Sequence, residues 1–125
     1  MSTTSDQRAP RIVLAGGVNS SRLTLQALLR HGVPVAGVLG LAPSRCSQTC
    51  GYVDLAAQAR VAGVPAVEFE NINDPEILDV VGEWDPDLLF VVGLSQLVHR
   101  PLLDLPRRAC VGYHPTALPR GRGRA

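Results

Sequence analysis

Near the C-terminal end of the sequence, His114 is the residue whose type and setting best suit chemistry. It follows the run ACVGY and precedes Pro115, and a proline holds the residue before it in extended backbone. An imidazole titrates near neutral pH, so it can act as a general acid or base, or stabilise a developing oxyanion when protonated. A single histidine is also often structural, so the fold around His114 decides between these interpretations.

The other histidines and the cysteines have weaker settings. His31 lies at a predicted helix end and His99 on a predicted surface, so both are interpreted as structural or exposed residues. Cys46 and Cys50 are spaced CxxxC, without a second pair or a nearby histidine to complete a tetrahedral metal site. Cys110 lies inside an apolar run and is predicted to be a core residue. We therefore expect no metal.

A glycine-containing turn, AGGVNSS, follows the first apolar run. Gly16 and Gly17 let a ligand approach the backbone, and a helix that begins near Ser20 offers free N–H groups and a partial positive charge. The turn does not fit GxGxxG, and it has no lysine for a phosphate-binding P-loop. The pattern therefore predicts a generic anion site at Gly16, Gly17, Asn19 and Ser20, with a purely structural βα turn as the open alternative.

Apolar runs alternate with helical patterns along the chain. The predicted strands are RIVLAGG, VPVAGVLGL, VPAVEF, PDLLFVVG and RACVGYHP. The predicted helices are SSRLTLQALLRHG, YVDLAAQARVAG and NINDPEILDVVGEW, while LAPSRCSQTCG is predicted to be a loop and SQLVHRPLLDLP an irregular helical turn interrupted by Pro101. In the first helix we expect Ser20 or Ser21 to be the N-cap, and Leu23, Ala27 and Leu28 to form the apolar face.

This alternation predicts an α/β fold with a doubly wound, mostly parallel five-stranded sheet of the Rossmann-like kind, in strand order 3-2-1-4-5. Ligands of such sheets bind beyond the carboxyl ends of the strands, at the switch point between strands 1 and 4. Three segments are predicted to meet there: GGVNSS after strand 1, VGLSQ after strand 4 and YHPTALP after strand 5.

Length and composition narrow the possible classes of protein. The chain has 125 residues, 46% hydrophobic and 18% charged, which predicts one globular domain over residues 10–125 after a flexible leader over 1–9. Its net charge of +1 creates no general field for nucleic acid or membranes. The N-terminus MSTTSDQRAP has no hydrophobic signal core, so a cytoplasmic location is expected.

Arginines crowd the C-terminal end of the chain. The positions are Arg107, Arg108, Arg120, Arg122 and Arg124. They are open to interpretation as an anion-binding rim, a solvated tail or an RNA-binding segment. Only 4% of the residues are aromatic, and no stacking platform is visible, which counts against RNA.

The segments VVGLSQL and GYHPTALPRGRGRA resemble the formyltransferases that use 10-formyltetrahydrofolate, a family that includes methionyl-tRNA, glycinamide ribonucleotide and sugar N-formyltransferases. The family hallmark is Asn-x-His-Pro/Gly, a small residue and Leu-Leu-Pro, often with Arg-Gly shortly after. Here it reads GYHPTALP, followed by Arg122-Gly123. The resemblance covers residues 11–125 and corresponds to the first part of the catalytic domain.

The resemblance implies transfer of a formyl group from 10-formyltetrahydrofolate to an amine on transfer RNA-bound methionine, an amino-sugar or a purine precursor. The family uses an Asn, a His and an Asp, of which His114 matches the His. The anionic part of the amine substrate would lie at the strand-1 loop. The folate pterin would lie against the backbone of the strand-4 loop, formed by Val92, Gly93, Leu94, Ser95, Gln96 and Leu97.

Two positions depart from the family pattern. Gly112 stands where the family has Asn, and no acidic residue follows Asp104. We therefore expect a truncated N-terminal Rossmann-like domain that is incomplete or inactive alone, unless a second copy or another chain completes it. The alternative is a non-catalytic α/β remnant that binds a small anionic ligand or a partner protein.

Overall fold

The computed structural model describes residues 9–113, so His114 and the arginines from Arg120 onward lie outside the described residues. The strands are β1 (Ile12–Gly16), β2 (Val35–Leu41), β3 (Ala66–Phe69), β4 (Leu88–Val92) and β5 (Ala109–Tyr113). The helices are α1 (Asn19–Arg30), α2 (Leu55–Val61), α3 (Pro75–Trp84) and α4 (Arg100–Leu103), with a 3-10 helix over Pro43–Gln48.

The five strands form one sheet in the order β3-β2-β1-β4-β5. All four strand pairings are parallel, which confirms the predicted topology. β1 is the central strand and all five of its residues are buried. The order reverses between β1 and β4, so the switch point lies where the prediction placed it.

Helices cover both faces of the sheet. On one face, Val13 and Ala15 of β1 belong to the same core cluster as residues of α3 and α4. On the other face, Leu14 belongs to a second cluster with Leu25 of α1 and Leu55 of α2. Because successive strand residues point to opposite faces, a sheet covered on both sides needs apolar residues throughout its strands.

The start and the buried face of α1 differ from the prediction. The helix begins at Asn19 with Val18 as its N-cap, and Ser21 is a buried residue of the first turn. Leu23, predicted to face the core, is 51% exposed, whereas Leu25 is buried. The prediction was wrong because it treated Ser21 as a polar cap, although Ser21 and Leu25 define the inward face.

Two proline-containing segments also differ from their predictions. The predicted loop LAPSRCSQTCG contains the 3-10 helix, which has Pro43 in its first turn. Pro101 lies in the first turn of α4 and does not interrupt a helix there. A proline suits the first turn because the N–H that it lacks has no helical partner at that position.

Capping residues and glycines mark the starts or ends of three helices. The Asp54 carboxylate caps α2 by accepting a hydrogen bond from the Ala57 N–H at 3.1 Å. Gly32 and Gly63 follow α1 and α2 with φ of +71° and +80°. Asp74 is the N-cap residue of α3, with Pro75 as its first residue. The N-caps fix where α2 and α3 begin, and the glycines mark where the chain leaves α1 and α2 to enter the next strand.

A polar cluster joins the amino ends of three strands. The Arg11 N–H donates to the Asp87 carboxylate at 2.8 Å, and the Arg11 guanidinium donates to the carbonyls of Trp84 and Asp85 at the end of α3. Arg107 forms a two-point ion pair with Asp85 at 3.1 and 2.6 Å. The starts of β1, β4 and β5 are therefore tied together, and Arg107 is part of this tie.

Gly37 of β2 lies against the ring of Trp84, and we predict that Gly37→Ala destabilises the protein. A Cβ at this position would lie 2.4 Å from two atoms of the indole, which forces the ring or the strand to move. Overpacking of this kind costs about 1–3 kcal/mol. Urea unfolding of the purified variant measures the loss.

The matched control is Gly82→Ala on the exposed side of α3. A Cβ there meets nothing within 4 Å, and alanine favours a helix over glycine by about 0.5–1 kcal/mol. We expect this variant to be as stable as the parent or more so. Equal stability of the two variants would contradict the packing of Trp84 on Gly37.

Candidate functional site

The switch point is formed by the loop after β1, the first turn of α1 and the loop after β4. β1 and β4 are neighbours in the sheet, and Ala15 pairs with Val91 at their carboxyl ends. The chain then diverges: residues 17–18 lead into α1, and residues 93–99 lead into α4. Two of the three segments that the sequence placed together are therefore adjacent.

The Ser21 hydroxyl connects these two loops. It accepts hydrogen bonds from the N–H groups of Gly17 and Val18 at 3.1 and 3.2 Å, and it donates to the carbonyl of Val92 at 2.6 Å. A hydroxyl can donate once and accept twice, so its capacity is fully used. Ser21 is completely buried, and its bonds hold the loop after β1 against the end of β4.

This close approach requires glycine at the end of β1 and directly after β4. A Cβ on Gly16 would lie 2.2 Å from the Ser21 Oγ and 2.3 Å from the Val92 carbonyl oxygen. Gly93 has a φ of +68°, and its Cβ would lie 2.4 Å from the Val18 Cγ2. The glycines predicted to give a ligand access to the backbone therefore also allow the neighbouring loop to pack closely. As a result, the predicted anion and folate subsites are in contact.

At the predicted anion subsite, α1 presents its N-terminal turn. The Asn19 side-chain Oδ1 accepts two hydrogen bonds from the Arg22 guanidinium, at 3.0 and 2.5 Å. The Ser20 hydroxyl oxygen is buried and, within residues 9–113, forms no hydrogen bond. Arg22 is a cation that sequence reasoning missed, although its spacing of three residues from Asn19 on a helix is a usable signal.

Tyr52 supports the loop after β1 from the side of β2. Its backbone forms an isolated antiparallel bridge with Val18, and its hydroxyl donates to the Leu41 carbonyl at 2.8 Å. The next residue, Val53, donates its N–H to the Gly17 carbonyl at 2.8 Å. Burial, with the nearby Asp54 carboxylate, raises the pKa of the Tyr52 phenol above its ordinary value of 10.0, so it stays a neutral donor near pH 7.

The predicted folate loop begins buried and becomes exposed. Val92 and Leu94 are buried, whereas Leu97 is 78% exposed. The Gln96 side chain points to the loop after β3: its Oε1 accepts from the Ile72 N–H at 2.7 Å and its Nε2 donates to the Glu70 carbonyl at 2.6 Å. The loop backbone and the exposed Ser95 and Leu97 side chains are thus the parts left to face a ligand.

Asn73, in the loop after β3, bonds to the same loop, and the sequence analysis gave it no part in the site. Its side-chain N–H₂ donates to the Leu97 carbonyl at 2.8 Å, and its oxygen accepts from the His99 N–H at 2.8 Å. Beside it lies an open cleft of about 440 Å³. The cleft is lined by Arg45, Glu70, Asn71, Asn73, Asp74, Gln96, Leu97 and His99.

The cysteines and acidic groups of the described chain form no metal centre. Within residues 9–113, no group of three or more His, Cys, Asp or Glu side chains is arranged to hold a metal ion. Cys46 and Cys50 are exposed free thiols, and Cys110, predicted to be a core residue, is partly buried. Burial raises the pKa of the Cys110 thiol, so it is protonated near neutral pH. No helix in the same range is long and apolar enough to cross a membrane.

Comparison with known proteins decides the family. No family model matches the chain. It is 32% identical over 106 residues to the methionyl-tRNA formyltransferase of Syntrophus aciditrophicus (strain SB), covering 82% of this chain and 33% of that protein. It is 32% identical over 119 residues to that of Geotalea uraniireducens (strain Rf4), covering 92% of this chain and 37% of that protein.

The chain belongs to the formyltransferase family. It spans about a third of the length of the curated relatives it matches and corresponds to their N-terminal part.

In this formyltransferase-family chain, the third predicted segment leaves the sheet beside the other two. β5 ends with Tyr113 paired to Val92, and Gly112 is paired to Val91. A Cβ on Gly112 would meet only the Val91 carbonyl oxygen, at 4.0 Å, among the described residues. The position that matches the family's Asn therefore has space for a side chain. The next residue, His114, lies outside the described residues.

We predict that Ser21→Ala lowers the free energy of unfolding by about 1–3 kcal/mol. The substitution removes three hydrogen bonds and leaves two N–H groups and one carbonyl buried without their partner, each of which carries a desolvation cost. Urea unfolding measures the change. Ser47→Ala, an exposed serine of the 3-10 helix, is the control and should stay within about 0.5 kcal/mol of the parent. A loss no larger than the control's would show that Ser21 does not hold the loops.

Proposed function

We propose that this chain binds 10-formyltetrahydrofolate and takes part in transferring its formyl group to an amine. The carrying observation is the arrangement of the loops after β1 and β4, which the Ser21 hydroxyl holds together beside the end of β5. Membership of the formyltransferase family supports the choice of chemistry. The domain that does this spans residues 10–125, with 1–9 as a leader.

The donor occupies the loop over residues 92–97. A pterin ring presents donors and acceptors along its edge, and backbone N–H and C=O groups match such an edge. The Gln96 amide is bonded to the loop after β3, so the side chain braces the loop while the backbone meets the ring. The exposed Leu97 side chain provides apolar surface at the outer end.

The acceptor's anionic part binds at the first turn of α1. The positive end of the helix dipole and the N–H groups of its first turn favour an anion there. The Ser20 hydroxyl and the Arg22 guanidinium add a hydrogen-bond donor and a positive charge at the same turn. This places the acceptor amine near the donor loop, because Ser20 lies against Gly93.

His114 acts on the reacting carbon. The acceptor amine attacks the formyl carbon, its new C–N bond forms, and the carbonyl oxygen becomes an oxyanion. A protonated His114 stabilises that charge, and collapse of the intermediate breaks the bond to the folate nitrogen, which takes up the proton that the attacking amine gives up. Gly112 offers no side chain to this step, so we propose that the 125-residue chain binds the donor better than it turns it over.

Methionyl-tRNA is the first acceptor to test, because the curated relatives are methionyl-tRNA formyltransferases. An amino-sugar and a purine precursor remain the other acceptor classes. The proposed protein partner is a second copy or another chain that completes the site. Both the protein partner and the cytoplasmic location stay predictions of the sequence.

Isothermal titration with 5-formyltetrahydrofolate, a stable analogue of the donor, tests the binding site. We expect saturable binding that weakens several-fold in His114→Ala, since this side chain faces the formyl group in the proposal. His31→Ala, an exposed residue at the far end of α1, is the matched control and should bind like the parent. Absence of binding by folded protein would overturn the donor proposal. Binding of inorganic phosphate without folate would favour the alternative, a non-catalytic binder of a small anion.

Gly112→Asn tests the missing catalytic side chain. Space beside the Val91 carbonyl admits the side chain, and one preorganised donor to an oxyanion contributes on the order of 10²–10³ in rate. We therefore expect faster formation of formyl-methionyl-tRNA from 10-formyltetrahydrofolate, by at least about tenfold. Gly112→Leu, which fills the same space without a donor, is the control. Equal rates in the two variants would show that this position does not contribute a donor.

A further inference from the structure

Two loops that come from strands far apart in the sheet are bonded to each other. The β3 loop, residues 70–74, follows one edge strand, and the β4 loop, residues 93–99, follows a strand three positions away. With neighbouring strands about 4.8 Å apart, the strands that carry them are separated by roughly 14 Å. The two loops therefore bridge the carboxyl ends of β2 and β1.

The bridge consists of two side-chain amides, each of which bonds to the backbone of the loop that carries the other. Gln96 of the β4 loop bonds to the backbone at Glu70 and Ile72 of the β3 loop, at 2.6 and 2.7 Å. Asn73 of the β3 loop bonds to the backbone at Leu97 and His99 of the β4 loop, at 2.8 Å in both cases. Each amide uses one donor and one acceptor, and we call this arrangement the amide clasp.

Buried apolar side chains anchor the same two loops in the core. Ile72 of the β3 loop and Leu94 of the β4 loop are both buried and belong to the same core cluster. The two loops therefore share four hydrogen bonds and one core cluster. Opening either loop alone would already break all four hydrogen bonds and expose part of that cluster. Opening both loops together breaks no further bonds of the clasp.

We propose that Asn73 and Gln96 are positioning residues that hold the β4 loop in its donor-binding conformation, and that the two loops open as one unit. The donor role rests on the proposed function, because the β4 loop contains the predicted folate residues. Ordering a loop before its ligand arrives removes an entropic cost from binding. The acceptor of the formyl group plays no part in this role.

Hydrogen exchange tests the coupling without any ligand. The variants are Gln96→Met and Asn73→Leu, which keep the side-chain size and remove the amide, and Gln58→Met on the exposed side of α2 is the matched control. The informative amides are those bonded by the unaltered partner: the His99 N–H in Gln96→Met and the Ile72 N–H in Asn73→Leu. We expect about three- to tenfold faster exchange at both, as the loss of a cooperative hydrogen bond predicts.

Exchange at β1 amides reports whether each variant is folded, and if one variant does not fold, the other decides. Unchanged exchange at the partner-bonded amide, with faster exchange only at the directly affected one, would overturn the coupling. The control should alter neither amide.

Titration with 5-formyltetrahydrofolate tests the positioning role. We expect about five- to tenfold weaker binding by Gln96→Met than by the parent, and no change in Gln58→Met. If the parent and Gln96→Met bind equally well, the positioning role is overturned and the proposed function stands. Failure of the parent to bind would overturn the proposed function, and with it the donor role of the clasp, while the exchange measurement would still decide whether the loops open together.

Discussion

One buried hydroxyl determines how the switch point is built. Ser21 bonds to two N–H groups after β1 and to the last carbonyl of β4, so the two strands leave the sheet at a fixed separation. That separation leaves no space for a side chain on Gly16 or Gly93. The first turn of α1 then lies against the β4 loop, and a ligand at either position is within reach of the other. The chemistry proposed for the chain depends on this contact between the first turn of α1 and the β4 loop more than on any single ligand-binding side chain.

The doubly covered sheet explains why the site is built mainly of backbone. Both faces of β1 are occupied by core clusters, so its side chains are unavailable for binding, and recognition has to occur at the carboxyl ends of the strands. The groups found there include loop N–H and C=O groups and the amides of Asn73 and Gln96, and the charged side chains of Arg45, Glu70 and Asp74 line the adjoining cleft. The backbone groups suit a ligand that is planar and polar along its edge.

The topology could be predicted from the sequence because every strand except β3, which contains Glu68, is a continuous apolar run, and glycine or proline signals lie near the helix ends. For the site, the sequence indicated which segments come together but not which side chains bond to each other. Ser21 was interpreted as a cap because its type suits one, and nothing local to it reveals Val92, which lies 71 residues away. Gln96 was assigned to the ligand for a similar reason, since its partners at Glu70 and Ile72 belong to a loop on the other side of two strands. Polar residues that bond across the fold leave no periodic pattern in the sequence.

Binding and catalysis draw on different residues in this arrangement, so the departures from the family pattern affect them unequally. Ser21, the glycines and the amide clasp shape the loops, and none of them depends on the residue at position 112. Gly112 lies at the exposed end of β5, and in the proposed function a side chain there would act on the oxyanion without supporting the loops. Loss of a single preorganised donor lowers the rate by on the order of 10²–10³ but leaves the ground-state contacts intact. A chain of this family can therefore retain its donor site while its chemistry becomes slow, and the two properties have to be measured separately.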